Sequence, residues 1–188
     1  MGKTGREERQ HSIIGELLGW IVYIAIIIGL TYLIITFVGQ RTSVSGHSME
    51  TTLQDGDQLI VDKISYRFRE PKRYDIIVFP YQYEDNVFYI KRIIGLPGET
   101  VQVKDGYTYI TGERMESDIY GAELMESGGI ASEPIILGED EYFVLGDNRN
   151  HSSDSRDPSV GVLTRDDLLG RAWIRIYPFN NMGVIRHE

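Results

Sequence analysis

The sequence predicts a mainly β protein: an antiparallel β-sheet domain preceded by one N-terminal transmembrane helix. Three observations carry this reading. The 22 residues from Leu17 to Val38 contain no charged side chain. After them, apolar stretches of five to eight residues recur between turns rich in Gly, Pro and Asp, the pattern of short antiparallel strands. Cysteine is absent, so the domain must be held by its own apolar core and not by disulfides.

Residues 1–12 are polar and read as a loose cytoplasmic tail. Residues 13–38 read as the anchor. At 1.5 Å per residue, the uncharged run spans about 33 Å, enough for a hydrocarbon core of about 30 Å. A buried core helix would keep a polar face, whereas here Gly19, Gly29, Thr31 and Thr36 are the interruptions. A cleaved secretory signal would be shorter and end on an A-x-A site; here the run gives way to Gly39-Gln40-Arg41-Thr42-Ser43. Lys3, Arg6 and Arg9 precede the run, and Arg41 is the one basic residue close behind it. The positive-inside rule therefore puts the N-terminus in the cytoplasm and residues 39–188 outside.

Within that outer domain, Gln58–Lys63 comes after the turn Asp55-Gly56-Asp57 and reads as a strand. Tyr74–Phe79 is a second, stopped by Pro80, and Val87–Ile94 a third, closed by Gly95-Leu96-Pro97-Gly98. Glu99–Val103 and Tyr107–Thr111 flank Lys104-Asp105-Gly106, a hairpin signal. Residues 112–138, rich in Gly, Glu and Ser without periodicity, read as a surface excursion within an insertion at about 104–140. Glu141–Leu145 is a strand leading into Gly146-Asp147-Asn148-Arg149. Thr164 with Asp167 three residues on resembles a capped helical turn, and Arg171–Tyr177 closes the domain as a strand.

Charge excludes one class of partner. The chain carries −9, and residues 1–38 hold three basic and three acidic residues, so the outer domain carries all of it. Phosphate binding needs a basic face, so nucleic acid is not expected. H-E-x-x-H is also missing, and no metal or cofactor is expected.

Two residues stand out chemically. Ser48, in Ser45-Gly46-His47-Ser48-Met49, lies about ten residues beyond the anchor. A hydroxyl nucleophile needs a base within hydrogen-bond reach. Lys91 lies in the apolar stretch VFYIKRII. Period-two alternation puts Lys91 with Val87, Tyr89 and Ile93 on one face, and Arg92 with Phe88, Ile90 and Ile94 on the other. One cation must then face buried apolar neighbours, unless this is an edge strand whose charged heads both reach water. A desolvated ammonium loses its proton more easily and becomes a base near neutral pH. A Ser-His-Asp arrangement through His151, with Asp147 or Asp154, is the alternative. Calcium on Asp147, Asp154 and Asp157 lacks EF-hand spacing.

Four ordered blocks carry a resemblance: Ser45-Gly46-His47-Ser48-Met49-Glu50 with Thr52-Leu53; Gly56-Asp57 through Val61 and Lys63; Tyr74–Phe79 through Tyr89–Gly98; and Gly146-Asp147-Asn148-Arg149 with Ser152, Asp154, Ser155 and Arg156. Behind an N-terminal anchor, these resemble the type I signal peptidases of the single-anchor Gram-positive kind, membrane-bound Ser/Lys endopeptidases. The resemblance implies Ser48 as nucleophile and Lys91 as general base. It implies that Ser152 hydrogen-bonds the lysine amine, that Asp154 and Arg156 pair to hold the loop, and that Met49 packs beside the site. Asp147, Asn148, Arg149 and Arg92 match structural positions. The implied partners are a lipid bilayer and secreted preproteins with small residues before the cut, which add as a strand beside residues near 42–48 and 88–91. The implied unit is a monomer.

Two departures stand out. Thr51 occupies a position that is usually proline, which leaves the turn looser. Gly46 occupies a position where some members carry a serine hydroxyl facing the oxyanion, so the Ser48 N–H is the expected donor. A membrane-anchored binding module of the same fold, catalytically weak or inactive, is the alternative function.

Overall fold

In the computed structural model the described residues are 4–37, 39–121 and 123–187, with side chains described over 15–33 of the first helix. That helix, α1, runs Thr4–Phe37. Its segment Gly15–Leu33 is exposed throughout, with a mean hydropathy of 2.0, and is long and apolar enough to cross a membrane. Residues 4–12, expected as a loose tail, are helical, because nothing in their sequence breaks the helix that the apolar run propagates. Lys3 and Val38, used in the orientation and anchor readings, lie outside the described residues.

The chain from Gln40 onward forms a second unit. Its large sheet holds β1 (Gly39–Ser43), β2 (Gln58–Asp62), β3 (Ile76–Pro80) and β4 (Phe88–Gly95). A smaller sheet holds β5 (Thr100–Lys104), β6 (Tyr107–Ile110), β7 (Glu113–Arg114) and β8 (Ile135–Ile136). The chain returns to the large sheet with β9 (Glu141–Leu145), β10 (Leu163–Thr164), β11 (Gly170–Tyr177) and β12 (Gly183–Val184). The large sheet runs β1-β2-β11-β3-β4-β9-β10, with β12 on β11, and the small one β7-β6-β5-β8. Every pairing with a resolved register is antiparallel, so the mainly β reading holds.

The middle strands are covered on both faces, which explains their unbroken apolar runs. In β9, Tyr142 and Val144 join one core with Ile77, Phe79 and Ile93. Phe143 and Leu145 point the other way, into a core with Ile94, Val101 and Val103. A third cluster packs Met49, Leu53, Leu59, Ile76 and Ala172 together. Thr164 caps its turn as expected, its N–H and Oγ1 both donating to Asp167 Oδ2 at 2.7 and 2.8 Å.

The expected surface excursion is corrected. Met125, Ala131 and Leu137 are buried in the second core, and β7 and β8 lie within the stretch. Its surface is polar, but these three apolar side chains tie it to the small sheet; each fully buried Leu or Met is worth about 1.5–3 kcal/mol.

Candidate active site

Lys91 belongs to β4, between β3 and β9, with Ile77 opposite it. The edge-strand reading therefore fails, and neither cation reaches water: Lys91 is 3% exposed and Arg92 0%. Alternation sends them to opposite faces, and each face handles its charge differently.

The Lys91 Nζ lies 2.9 Å from Ser48 Oγ and 3.1 Å from its neighbour's carbonyl, Ile90 O. It also lies 4.9 Å from the Tyr89 ring. Burial pulls its pKa down to about 8, against the opposing pull of Asp154 and Asp147. An uncharged amine has a lone pair, so the Ser48 hydroxyl can donate to it. Ser48 sits in a turn closed by Glu50 N–H to His47 O (3.1 Å) and Leu53 N–H to Met49 O (2.8 Å). Met49 and Leu53 are anchored in the third core, which fixes the turn from below. The two residues line a cleft of about 260 Å³ with Ser45, Phe88, Ile90 and His151.

Arg92 is neutralised instead of deprotonated, as guanidinium chemistry requires. Its Nε and Nη2 donate to the two Asp147 oxygens at 2.8 and 2.7 Å. Thr52 Oγ1 donates to Asp147 at 2.5 Å, and Tyr120 stacks 3.6 Å from the guanidinium. Arg156 grips Asp154 through two bonds of 2.8 and 2.9 Å, and Asp154 also accepts the Gly146 N–H at 3.0 Å. Arg149 pairs with Asp118 at 2.6 and 2.7 Å. Residues 146–156 are thus pinned by three forked ion pairs, to β4, within the loop, and to the 112–138 stretch. Asp147 and Asp154 are committed to arginines, and Asp157 accepts from Ser159 N–H and Ser153 Oγ.

The expected Ser152–lysine bond is not present. Ser152 Oγ is buried and without a partner among the described residues. The amine's second contact goes to the carbonyl of its own strand, and Ser152 packs over Gly146. A Cβ at Gly146 would lie 2.2 Å from Ser152 Oγ and 2.5 Å from Ser48 O, so only glycine lets this loop approach the serine turn. His47 and His151 are exposed and bonded to Glu50 Oε1 (2.6 Å) and Asn148 Oδ1 (3.2 Å); neither hydrogen-bonds Ser48.

Both departures in the serine turn acquire a physical reason. Gly46 has φ +91° and its N–H donates to Asp55 Oδ1 at 2.8 Å, a backbone state that favours glycine over serine. Thr51 has φ +87°. A proline ring fixes φ near −65°, so this turn cannot hold proline; the expected looseness gives way to strain. Left-handed φ in a β-branched residue costs about 1–2 kcal/mol. Thr51→Gly is therefore expected to raise stability by ~1 kcal/mol, and Thr51→Pro to lower it, as read by thermal unfolding. An unchanged midpoint in Thr51→Gly would mean that no strain is stored there.

Sequence reasoning missed the partners of these groups: Thr52 on Asp147, Asp118 on Arg149, and Arg175 Nη2 on Thr52 O at 2.6 Å. A charged residue inside an apolar strand was the available signal for Arg92, but its partner lies 55 positions away.

Residues 17–177 match the family described as signal peptidase, peptidase S26. A protein of Bacillus licheniformis named signal peptidase I is 37% identical over 94% of this chain and 97% of its own. One of Synechocystis, named probable signal peptidase I-2, is 39% identical over 81% of this chain and 70% of its own. A solved signal peptidase I from Enterococcus faecalis overlays with a TM-score of 0.41 at 32% identity, covering 55% of this chain and 97% of that one. The matched span takes in the serine turn, the Lys91 strand and the pinned loop together, and the chain belongs to the signal peptidase family, peptidase S26.

Proposed function

We propose that this chain is a membrane-anchored serine endopeptidase that removes signal peptides from secreted preproteins at the outer face of the membrane, with Ser48 as nucleophile and Lys91 as general base. The observation that supports it most is the buried amine 2.9 Å from a cleft hydroxyl. A preprotein strand lies in the cleft with small residues before the scissile bond. Lys91 takes the Ser48 proton as Oγ attacks the carbonyl carbon, and the resulting ammonium protonates the leaving amine. The Ser48 N–H receives the oxyanion. Lys91, neutral again, takes a proton from water as the water oxygen attacks the acyl-enzyme ester, then returns that proton to the departing Ser48 Oγ, which regenerates both groups and frees the new carboxyl end.

During each transfer the transient ammonium faces the Tyr89 ring, an attraction worth about 0.5–2 kcal/mol. Asp154 and Asp147 hold the amine's pKa from falling further. Helix α1 serves as the anchor, N-terminus inside. Sharing the bilayer with a tethered substrate raises effective concentration without new contacts. The unit acts as a monomer, without nucleic acid, metal or cofactor.

Full-length protein in detergent micelles, incubated with a preprotein, is expected to give one new N-terminus by mass spectrometry, after a small residue. Ser48→Ala should give none. Activity should rise with pH as Lys91 sheds its proton, with a midpoint near about 8. An acid limb near the ordinary lysine value of 10.5 would rule out a desolvated base. Cleavage by Ser48→Ala at the parent rate would overturn the proposal, and no cleavage by the parent would favour the binding module.

A further inference from the structure

The oxyanion donor raises a question of aim. Among the described residues, the Ser48 N–H has no hydrogen-bond acceptor, so it is free to serve a ligand in the cleft. An N–H is not free to turn by itself. It belongs to a planar unit whose other end is the preceding carbonyl, His47 O, with oxygen and hydrogen directed oppositely. Whatever holds that carbonyl fixes the direction of the N–H.

Asn148 holds it. Its Nδ2 donates to His47 O at 3.1 Å, while its backbone N–H donates to Ser48 O, also at 3.1 Å. One residue therefore grips the two peptide units on either side of the nucleophile. The amide cannot be reversed: a carbonyl only accepts, so Nδ2 must face it. Oδ1 is left to the His151 Nδ1 at 3.2 Å. Asn148 can come this close because Gly146, two residues earlier, has no Cβ to strike Ser48 O. Asp147 beside it is locked on Arg92.

We propose that Asn148 is a positioning residue for the oxyanion site: its side-chain amide sets the plane of the His47–Ser48 peptide and so aims the Ser48 N–H at the developing negative oxygen. This rests on Ser48 being the nucleophile. Donation to the His47 carbonyl also polarises the whole unit, making its N–H a stronger donor. Charge on the substrate oxygen grows only in the transition state, so the benefit falls on kcat and not on substrate binding.

Asn148→Ala removes the side-chain grip and keeps the backbone one. Asn148→Asp keeps the shape but turns a carboxylate oxygen toward His47 O. With full-length protein and a preprotein substrate, both variants are expected to lose roughly 10–100-fold in kcat, Asp at least as much as Ala. KM should stay within about twofold, and the acid limb should remain near about 8. Asn148→Asp carries the test alone should the alanine variant fail to fold. Two results overturn the inference. One is kcat within about threefold of the parent in Asn148→Asp. The other is a loss accompanied by an equal rise in KM or a moved acid limb, which would put the effect on binding or on Lys91. Ser48→Ala run alongside separates the two levels: an active Ser48→Ala sinks the nucleophile assignment, whereas an inactive one with unimpaired Asn148 variants sinks only this inference.

Discussion

Lys91→Met is expected to reduce cleavage at least ~10³-fold while making the folded protein more stable at neutral pH. Both outcomes stem from the same burial. In the unfolded chain this lysine keeps its ordinary value of 10.5; in the folded one it falls to about 8. Between those values the unfolded state binds more protons, so the parent gains stability as pH rises from about 8 to 10.5. Below about 8, the buried amine lowers stability by an amount on the order of 3 kcal/mol. Methionine has nearly the same shape and no charge, so it should recover most of that near pH 7, with the advantage fading towards pH 10.5. Urea unfolding of both proteins across this range measures it. A variant no more stable than the parent at pH 7 would mean that the lysine keeps its full charge at no penalty. Retained cleavage would remove it from the chemistry.

The second large effect is purely structural. Arg92 and Asp147 are both completely buried and share two hydrogen bonds. Arg92→Leu leaves a carboxylate in the interior with Thr52 as its remaining side-chain donor. Breaking such a pair costs about 3–5 kcal/mol. For a domain of this size that lowers the thermal midpoint by about 6–20 °C. Removing both charges, as Arg92→Leu with Asp147→Leu, should recover part of the loss, because no ion is then stranded. A single variant within ~1 kcal/mol of the parent would show that water or another cation takes over the carboxylate.

Much of the frame was legible in the sequence. β2, β4, β9 and β11 were bracketed by turn residues, the hairpin by Lys104-Asp105-Gly106, and the capped turn by Thr164 and Asp167. The gaps have physical causes. A strand with cations at adjacent positions looks the same whether its charges reach water or are neutralised by loops far along the chain, so periodicity could not tell an edge place for β4 from an interior one. β7, β8, β10 and β12 have two residues each, too few to show a period. Met125, Ala131 and Leu137 are isolated apolar residues in a polar stretch, and their burial depends on a sheet assembled from elsewhere. Lys91 was legible as a candidate because a cation stands in an apolar strand, and Ser48 because of its place behind the anchor and the motif resemblance around it. The planes of the peptides beside Ser48, and hence the part played by Asn148, depend on backbone directions that residue types do not encode.

The pairing of β4 with β3 sets Lys91 opposite Ile77 and Arg92 opposite Ile76. Sliding β4 by a single step would exchange the two cations between faces. Slid one way, a guanidinium, which cannot give up its proton near neutral pH, would confront the serine; slid the other way, Ile90 would confront it and the carboxylate beneath would meet an amine too short to fork. On the proposed Ser48–Lys91 chemistry, misthreaded copies of this chain would be chemically silent, and correct folding itself would act as the gate through which proteolytic power is released.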